Sequence, residues 1–366
     1  MIRPGRFVLA VLVSILVTLQ AAGQEVRHFF YQGHPYGSES LFNPVSVLAN
    51  GSFDAFQIIN DRQPTWQNVY WEPAASNVWK SATSPLLVIS RFGWSKFLGQ
   101  EVFPTSLNIE NAQYAPNFFL HAIGGGMVYR KLSEWYDQQG FPAPFIWGAA
   151  TRVIYEYVNE TVENGPGNNF YNEDCLPDML IFQPLGILLF SFDGISEFFS
   201  STLSLNDWSQ PVGLSFAPFA VRNAGQNFVM KLALNQKRNT SLFFHFGDFA
   251  LLGLSFKTNA EDALSFGAGL ASNGRKSLPP QNDVPYNTVT VGPMAGLYFD
   301  RNNSLMASLV YADVPNHRFR LNVYPGLLSN DSWSPGFFVS VAEDGATIVG
   351  LTARFIPVGL ALHIPR

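Results

Sequence analysis

Four ionisable side chains in the middle of the chain have the types and order of an acid/base or metal-binding site. They are His121 in NFFLHAIGGGMVYR, Glu156 and Glu160 in YEYVNE, and Asp178 just after DCLP. Three hypotheses fit this set. The residues form a buried polar network that fixes helix packing, because buried charges must be paired. Alternatively, they bind zinc, iron or manganese. In the third hypothesis, Glu160 is a catalytic base with His121 as its partner.

No further motif decides between these hypotheses. The chain contains no HExxH, no GxSxG and no pair of cysteines, since Cys175 is its single cysteine. The sequence therefore leaves the metal content and any cofactor unknown, and it excludes an internal disulfide.

The elements that carry these residues are predicted to be helices. Spacing across residues 117–136 predicts a helix that places His121 on one face with Gly125 and Val128. The three glycines at 124–126 each cost about 1 kcal/mol relative to alanine in a helix. We expect such a cost where a neighbouring backbone must come close.

A second helix is predicted over residues 144–163, because Pro144 suits a first helical position. Arg152 and Glu156 are spaced for an ion pair on this helix. A third, wholly apolar segment follows Asp178, which is predicted to be its N-cap. A helix that is apolar all round is buried or faces lipid.

From residue 206 onward the sequence reads as successive short strands joined by tight turns. In GPMAGLYFD, Met294 and Tyr298 share one face and Leu297 lies on the other. SLMASLVYAD repeats this alternation, with a bulky apolar face opposite a small or polar face. That pattern is typical of strands with lipid on one side and a lumen on the other.

The composition agrees with a membrane location. Charged residues make up 13% of the chain and aromatic residues 15%, with 33 phenylalanines. Soluble domains carry roughly 25% charged residues. The net charge of −5 leaves no basic patch for nucleic acid. Arg3 and Arg6 precede an apolar run and Ala21-Ala22-Gly23, which predicts a secretory signal peptide over residues 1–23.

The predicted fold is mainly β: an antiparallel transmembrane β-barrel of about 10–12 strands with an α-helical insert. The signal peptide is followed by N-terminal strands and loops at 24–116, the helical insert at 117–205 and the barrel strands at 206–366. Strand-like composition at 53–60 and 85–92 supplies two of the strands. A soluble antiparallel sandwich or closed barrel is the alternative.

The order of motifs also resembles known families. His121, Gly125 and Tyr129 on one helix are followed by Tyr155-Glu156-Tyr157-x-x-Glu160 and then by Pro177, Asp178 and Gly186. This order is similar to uncharacterised bacterial outer-membrane-type β-barrel proteins that carry a His/Glu/Asp helical insert. A looser likeness over 117–190 is to VanZ-like membrane proteins and small periplasmic lipoproteins, although Pro116-Asn117 stands where the smaller relatives often have Asp-Lys. The resemblance implies location and architecture, and it implies no defined activity.

Two functions are therefore expected. The first is an exported bacterial outer-membrane protein that is structural, forms a pore or binds a ligand, with membrane lipid and the outer-membrane assembly machinery as partners. The alternative is an envelope enzyme that modifies lipid or glycan through His121, Glu156, Glu160 and Asp178.

Overall fold

The computed structural model describes residues 26–57, 66–103, 118–164, 173–235, 239–281, 284–329 and 332–366. In this part of the chain a helical region precedes one large sheet, which confirms a mainly-β fold with a helical insert. The predicted signal peptide lies outside the described residues. The chain divides into two compact units. The first contains Val69–Ser196 with the chain up to His28 and Arg275–Thr290, and the second contains Phe29–Asn68, Glu197–Gly274 and Val291–Arg366.

The described residues contain six α-helices of eight residues or more. Two π-helical segments lead into helices: Phe118–Gly124 precedes the helix that begins at Gly125, and Asp178–Phe182 precedes the one that begins at Gln183. Shorter helical segments lie at Ser38–Leu41, Trp94–Lys96, Phe97–Val102, Cys175–Pro177, Asp193–Glu197 and Phe198–Thr202. The six helices are α1 (Pro44–Phe53), α2 (Trp71–Thr83), α3 (Pro85–Phe92), α4 (Gly125–Gln138), α5 (Pro144–Asn164) and α6 (Gln183–Phe190).

The prediction of strands between residues 24 and 116 is wrong for the described residues of that range. The segment at 85–92 is helix α3, while Phe53 ends α1 and Asp54–Gln57 is a 3₁₀ turn. Pro85 occupies the first helical turn, and Val88, Ile89 and Phe92 are buried at helical spacing. A short apolar run rich in β-branched residues does not distinguish a strand from a buried helix. Residues 58–60 of the other predicted strand lie outside the described residues.

The helices predicted around the candidate site are confirmed. Helical structure runs from Phe118 to Gln138, and α5 begins at Pro144 as expected. Gly140 lies between them with a φ of 75°, a left-handed conformation that favours glycine and ends the helix.

Glycines bring two helices of the first unit into close contact. A Cβ atom at Gly126 would lie 2.8 Å from the carbonyl oxygen of Gly186 in α6. A Cβ atom at Gly186 would lie 2.6 Å from the carbonyl oxygen of Ala122. These distances leave no room for a side chain, so the expected close approach of a neighbouring backbone is confirmed.

All described strands lie within the range 206–366 predicted for them. They are β1 (Asn206–Asp207), β2 (Gly213–Phe216), β3 (Phe219–Arg222), β4 (Phe228–Asn235), β5 (Thr240–Phe246), β6 (Phe249–Lys257), β7 (Asp262–Gln281), β8 (Val284–Arg301), β9 (Ser304–Ala312), β10 (Phe319–Val323), β11 (Pro335–Val341), β12 (Thr347–Ala353) and β13 (Gly359–Ile364).

The sheet is open, so the predicted closed and wholly antiparallel barrel is corrected. Strands β4 to β13 follow one another in chain order, and the complete order is β1-β4-β5-β6-β7-β8-β9-β10-β11-β12-β13-β2-β3. Strand β2 pairs with β13 in parallel, through Gly359 with Gly213 and Leu360 with Leu214. Within the described residues no pairing joins the end strands β1 and β3. The sheet has thirteen strands, against the 10–12 expected.

The predicted alternation of the two strand faces is confirmed. In β8, Met294 and Tyr298 are buried and Leu297 is exposed. In β9, Ser308 and Val310 are buried, whereas Leu309 and Tyr311 are exposed. The buried face of the second unit contains a cluster formed by Trp208, Phe243, Leu251, Tyr298 and Tyr324, among other residues.

No single helix among the described residues is long and apolar enough to cross a bilayer. One bent pair, Cys175–Phe190 with Asp193–Thr202, meets the length and composition requirement jointly, and its two parts are bent by 90°.

Candidate functional site

His121 lies between two carboxylates of the first unit. Its Nδ1 atom is 2.9 Å from Oε1 of Glu156 in α5, and its Nε2 atom is 3.8 Å from Oδ2 of Asp178. The imidazole is supplied by the π-helical segment Phe118–Gly124, and Asp178 by the one that precedes α6. Three of the four predicted site residues therefore meet in space, and both ring nitrogens of His121 have an acidic neighbour.

Arg152 completes this arrangement. The sequence predicts its ion pair with Glu156 but does not identify it as a residue of the candidate site. Its Nη1 atom contacts Oε2 of Glu156, one helical turn further along α5. Its guanidinium lies 4.2 Å from the ring centroid of Tyr155, and its Nη2 atom is 3.5 Å from the carbonyl oxygen of His121. We call His121, Arg152, Glu156 and Asp178 the buried quartet.

Gly125 makes room for the guanidinium. A Cβ atom at Gly125 would collide with Nη2 of Arg152 and would lie 2.7 Å from its Nε atom. The glycine run therefore serves two purposes. Gly126 admits the backbone of α6, and Gly125 admits a side chain from α5. The sequence predicts the first purpose, but it does not reveal the second.

The charges of the quartet stabilise one another. Burial alone lowers the pKa of His121, but Asp178 and Glu156 outweigh that effect and raise the pKa to about 9. Burial alone raises the pKa of Glu156, but Arg152 and His121 reverse this and lower the pKa to about 2. At neutral pH the imidazole therefore carries a proton and the carboxylate does not. Two cations face two anions, so the quartet has no net charge.

Glu160 lies one helical turn beyond Glu156 on α5. The largest charge effects on the pKa of His121 come from Asp178, Glu156 and Arg152. Glu160 is buried, and its carboxylate acts on Cys175, whose pKa is raised well above its usual value mainly by burial and next by Glu160. The pairing of Glu160 as a base with His121 stays a prediction.

Asp178 is not the N-cap that the sequence predicts. Its backbone is helical, with φ −70° and ψ −53°, because helical structure already begins at Cys175. The N-cap position of the segment that follows is held by Pro177, and Asp178 is the first residue inside it. Its carboxylate instead faces the imidazole of His121, so the interaction with the quartet replaces a local capping role.

The quartet resembles a packing network more closely than a metal or catalytic site. The described residues contain no group of three or more His, Cys, Asp or Glu side chains arranged to hold a metal ion. Both oxygens of Glu156 are engaged, one by His121 and one by Arg152. Only 1% of the Glu156 side chain is exposed, against 14% for His121. A protonated histidine cannot act as a base at neutral pH.

A second buried ion-pair cluster lies in the same unit and was not predicted. Nε of Arg130 is 3.1 Å from Oε1 of Glu134, one turn along α4. Its Nη2 atom is 2.9 Å from Oδ1 of Asp193 and donates a hydrogen bond of 2.6 Å to the carbonyl oxygen of Arg27. The spacing of Arg130 and Glu134 is the signal from which the sequence could have revealed it.

Comparison with known proteins adds no relative from which an activity could be transferred. The chain matches no protein-family model, no curated protein and no solved structure at a significant level.

Proposed function

We propose that the chain is an exported bacterial outer-membrane protein, in which one face of the sheet contacts lipid. The helices of the first unit, within Val69–Ser196, have a structural or binding role, and we call them the helical unit. The observation that carries this proposal is the distribution of side chains across the sheet. The exposed face is apolar and the buried face carries many polar and charged residues, the reverse of a soluble domain.

The contrast holds along several strands. Leu252 in β6 is 61% exposed, and Leu351 in β12 is 66% exposed. On the buried face, Lys231 and Arg320 are only 7% and 6% exposed. Nζ of Lys231 lies 2.7 Å from Oδ2 of Asp300, so this charge is neutralised within the protein. A soluble sheet is expected to have the opposite arrangement, with its ions in water and its leucines buried.

The exposed apolar side chains are neighbours in the sheet and do not occur singly. Across adjacent strands, exposed residues stand directly opposite one another in four pairs: Leu232 with Leu242, Phe256 with Leu264, Leu297 with Leu309, and Leu351 with Leu360. Single exposed leucines are ordinary on a soluble surface, but a contiguous apolar band marks contact with lipid or another protein. The apolar band extends from β4 to β13, and this extent favours lipid over another protein as its contact.

The proposal includes two partners. Membrane lipid covers the apolar band, and the outer-membrane assembly machinery inserts the sheet. The net charge of −5 gives no reason to expect nucleic-acid binding.

Membrane fractionation tests the location. We expect the mature protein, expressed in a Gram-negative host, to sediment with outer-membrane vesicles on a density gradient. It should stay there after high-salt, carbonate and urea washes and dissolve only in detergent. Recovery in the soluble periplasmic fraction would rule out the proposed lipid contact.

The second candidate function is modification of an envelope lipid or glycan, and the partial exposure of His121 favours it. A matched pair of variants separates a structural role from this one. If His121→Gln leaves folding and location intact but abolishes a change in the lipid or glycan profile of producing cells, the residue is catalytic. If His121→Gln mainly lowers the stability of the helical unit, its role is structural, which is the outcome we expect. Glu134→Gln is the comparison, because Glu134 is a buried carboxylate that pairs with Arg130 and lies outside the predicted site.

A further inference from the structure

The second unit contains a cavity of about 310 Å³ on the polar side of the sheet. Its polar wall includes Arg222, Asn223, His317, Arg320, Ser340 and His363. Phe53 and Phe56 form an apolar part of the wall. Small-molecule sites in proteins usually measure between about 300 and 1,000 Å³, so the cavity can hold a small ligand.

Three basic side chains of the wall are more than nine-tenths buried: Arg222, His317 and Arg320. The sheet register explains part of this grouping. Arg320 in β10 stands directly opposite Ser340 in β11, and Ser340 stands opposite Ile348, which in turn faces His363 in β13. A row of side chains on one sheet face therefore leads from Arg320 to His363.

Arg222 has hydrogen-bonding capacity to spare. Its Nε atom donates a 3.0 Å hydrogen bond to Oγ of Ser215, which holds the guanidinium in place. Its Nη2 atom is buried and has no hydrogen-bond partner among the described residues. Within the same part of the chain, no carboxylate lies within 4 Å of Arg222. A buried donor without an acceptor is costly, so an acceptor that enters the cavity would be bound favourably.

Two carboxylates also belong to the wall, but both are exposed at its edge. Glu343 and Asp344 lie in the loop between β11 and β12. Oε1 of Glu343 is 3.1 Å from Nη2 of Arg318, which lies outside the cavity. Glu343 is thereby partly neutralised, and the deep part of the cavity remains positively charged.

We propose that this cavity binds a phosphate monoester. Two arginines supply two fixed positive charges, which match the dianion that a phosphate monoester forms near neutral pH. The planar guanidinium recognises phosphate oxygens through paired N–H groups, and the imidazole of His317 adds a polar contact. The ligand is a soluble phosphate ester or the terminal phosphate of a lipid headgroup. The site lies within the second unit and is lined by buried side chains, so phosphate binding does not require that the exposed face of the sheet contacts lipid.

Titration of the purified full chain tests the site. Isothermal calorimetry with inorganic phosphate and glycerol 3-phosphate covers the soluble source, and nanodiscs containing phosphatidic acid cover the lipid source. We expect saturable binding of at least one of these probes. Arg222→Met and Arg320→Met should each weaken that binding by at least tenfold. Arg301→Gln is the matched control: it removes a positive charge of the second unit whose partner is Asp262, and since neither residue lines the cavity it should change the affinity by less than twofold.

Each outcome decides the proposal. Binding to phosphatidic acid alone supports phosphate recognition and identifies the lipid as its source, and binding to glycerol 3-phosphate identifies the soluble source. Failure of all three probes overturns the proposal, as does an equal loss in Arg301→Gln, which would show a general effect of surface charge. Should either methionine variant fail to fold, Arg222→Lys and Arg320→Lys keep the charge and remove the planar fork. They should still weaken binding at least fivefold, and unchanged affinity in both would overturn the proposal.

Discussion

Nδ1 of His121 lies 2.9 Å from Oε1 of Glu156, although the two residues belong to different helices, and Arg152 holds the other oxygen of the same carboxylate. One buried glutamate therefore neutralises two cations. With Asp178 as the second anion, the quartet connects α5 to the segments that lead into α4 and α6. We infer that it fixes how these helices pack.

Removing the shared anion should destabilise the helical unit. Glu156→Gln leaves the buried Arg152 and His121 without their common partner, and breaking a buried ion pair costs roughly 3–5 kcal/mol. The double variant Arg152→Met with Glu156→Met removes both charges and keeps the volume. It should lose less stability than Glu156→Gln. Guanidinium unfolding followed by helical circular dichroism measures both variants. A single variant as stable as the wild type would show that the pairs contribute nothing.

The quartet should make the helical unit sensitive to pH in both directions. The folded pKa of His121 is about 9, above its usual 6.5, so its contribution is complete below pH 6.5 and is lost as the pH rises through 9. The folded pKa of Glu156 is about 2, below its usual 4.5, so its contribution is complete above pH 4.5 and is lost as the pH falls through 2. The stability advantage of the wild type over His121→Asn should therefore be larger at pH 6 than at pH 10. Equal differences at the two pH values would contradict a protonated His121.

The glycine contact between α4 and α6 should not tolerate a methyl group. Gly126→Ala places its Cβ atom 2.8 Å from a backbone oxygen of Gly186, and such overpacking costs about 1–3 kcal/mol. Gly194→Ala is the control, because nothing lies within 4 Å of its Cβ position. Thermal melts of both variants test this expectation. If the two variants melt alike, the helices can separate without loss and the contact is not restrictive.

A charge on the exposed face of the sheet should be costly. Leu309 stands opposite Leu297 in the apolar band, and an arginine facing lipid costs roughly 2–4 kcal/mol near the middle of a bilayer. We expect Leu309→Arg to lower the temperature at which the folded protein shifts its migration on a detergent gel. Ala260→Arg adds the same charge to an exposed turn and should leave that temperature unchanged. If Leu309→Arg behaves like the turn variant, the band does not contact lipid.

The sequence predicted features that depend on local periodicity. The alternation of Ser308, Leu309 and Val310 and the start of α5 at Pro144 both follow from the spacing of residues along one element. Closure of the sheet was predicted wrongly. The parallel pairing of β2 with β13 joins Gly213 to Gly359, which lie far apart in the chain, and no local pattern reports such a contact.

One other error and one omission also have a physical cause. Helix α3 has the composition of a strand, and its burial against neighbouring helices favours the helical form. The predicted ion pair of Arg152 with Glu156 is confirmed, but the sequence gives no sign that the guanidinium fits against Gly125. Side chains that meet across helices depend on the packing angle, which spacing within one helix does not determine.

The exposed face of the sheet is proposed to contact hydrocarbon, and nitroxide accessibility measures this contact directly. Cys175 is the single cysteine and is buried, so Cys175→Ser provides a background for Leu309→Cys and for Ala260→Cys in the exposed turn. In lipid vesicles, a nitroxide at position 309 should collide often with oxygen and rarely with a water-soluble nickel complex, while one at position 260 should show the opposite preference. Equal access of the nickel complex to both positions would contradict the account.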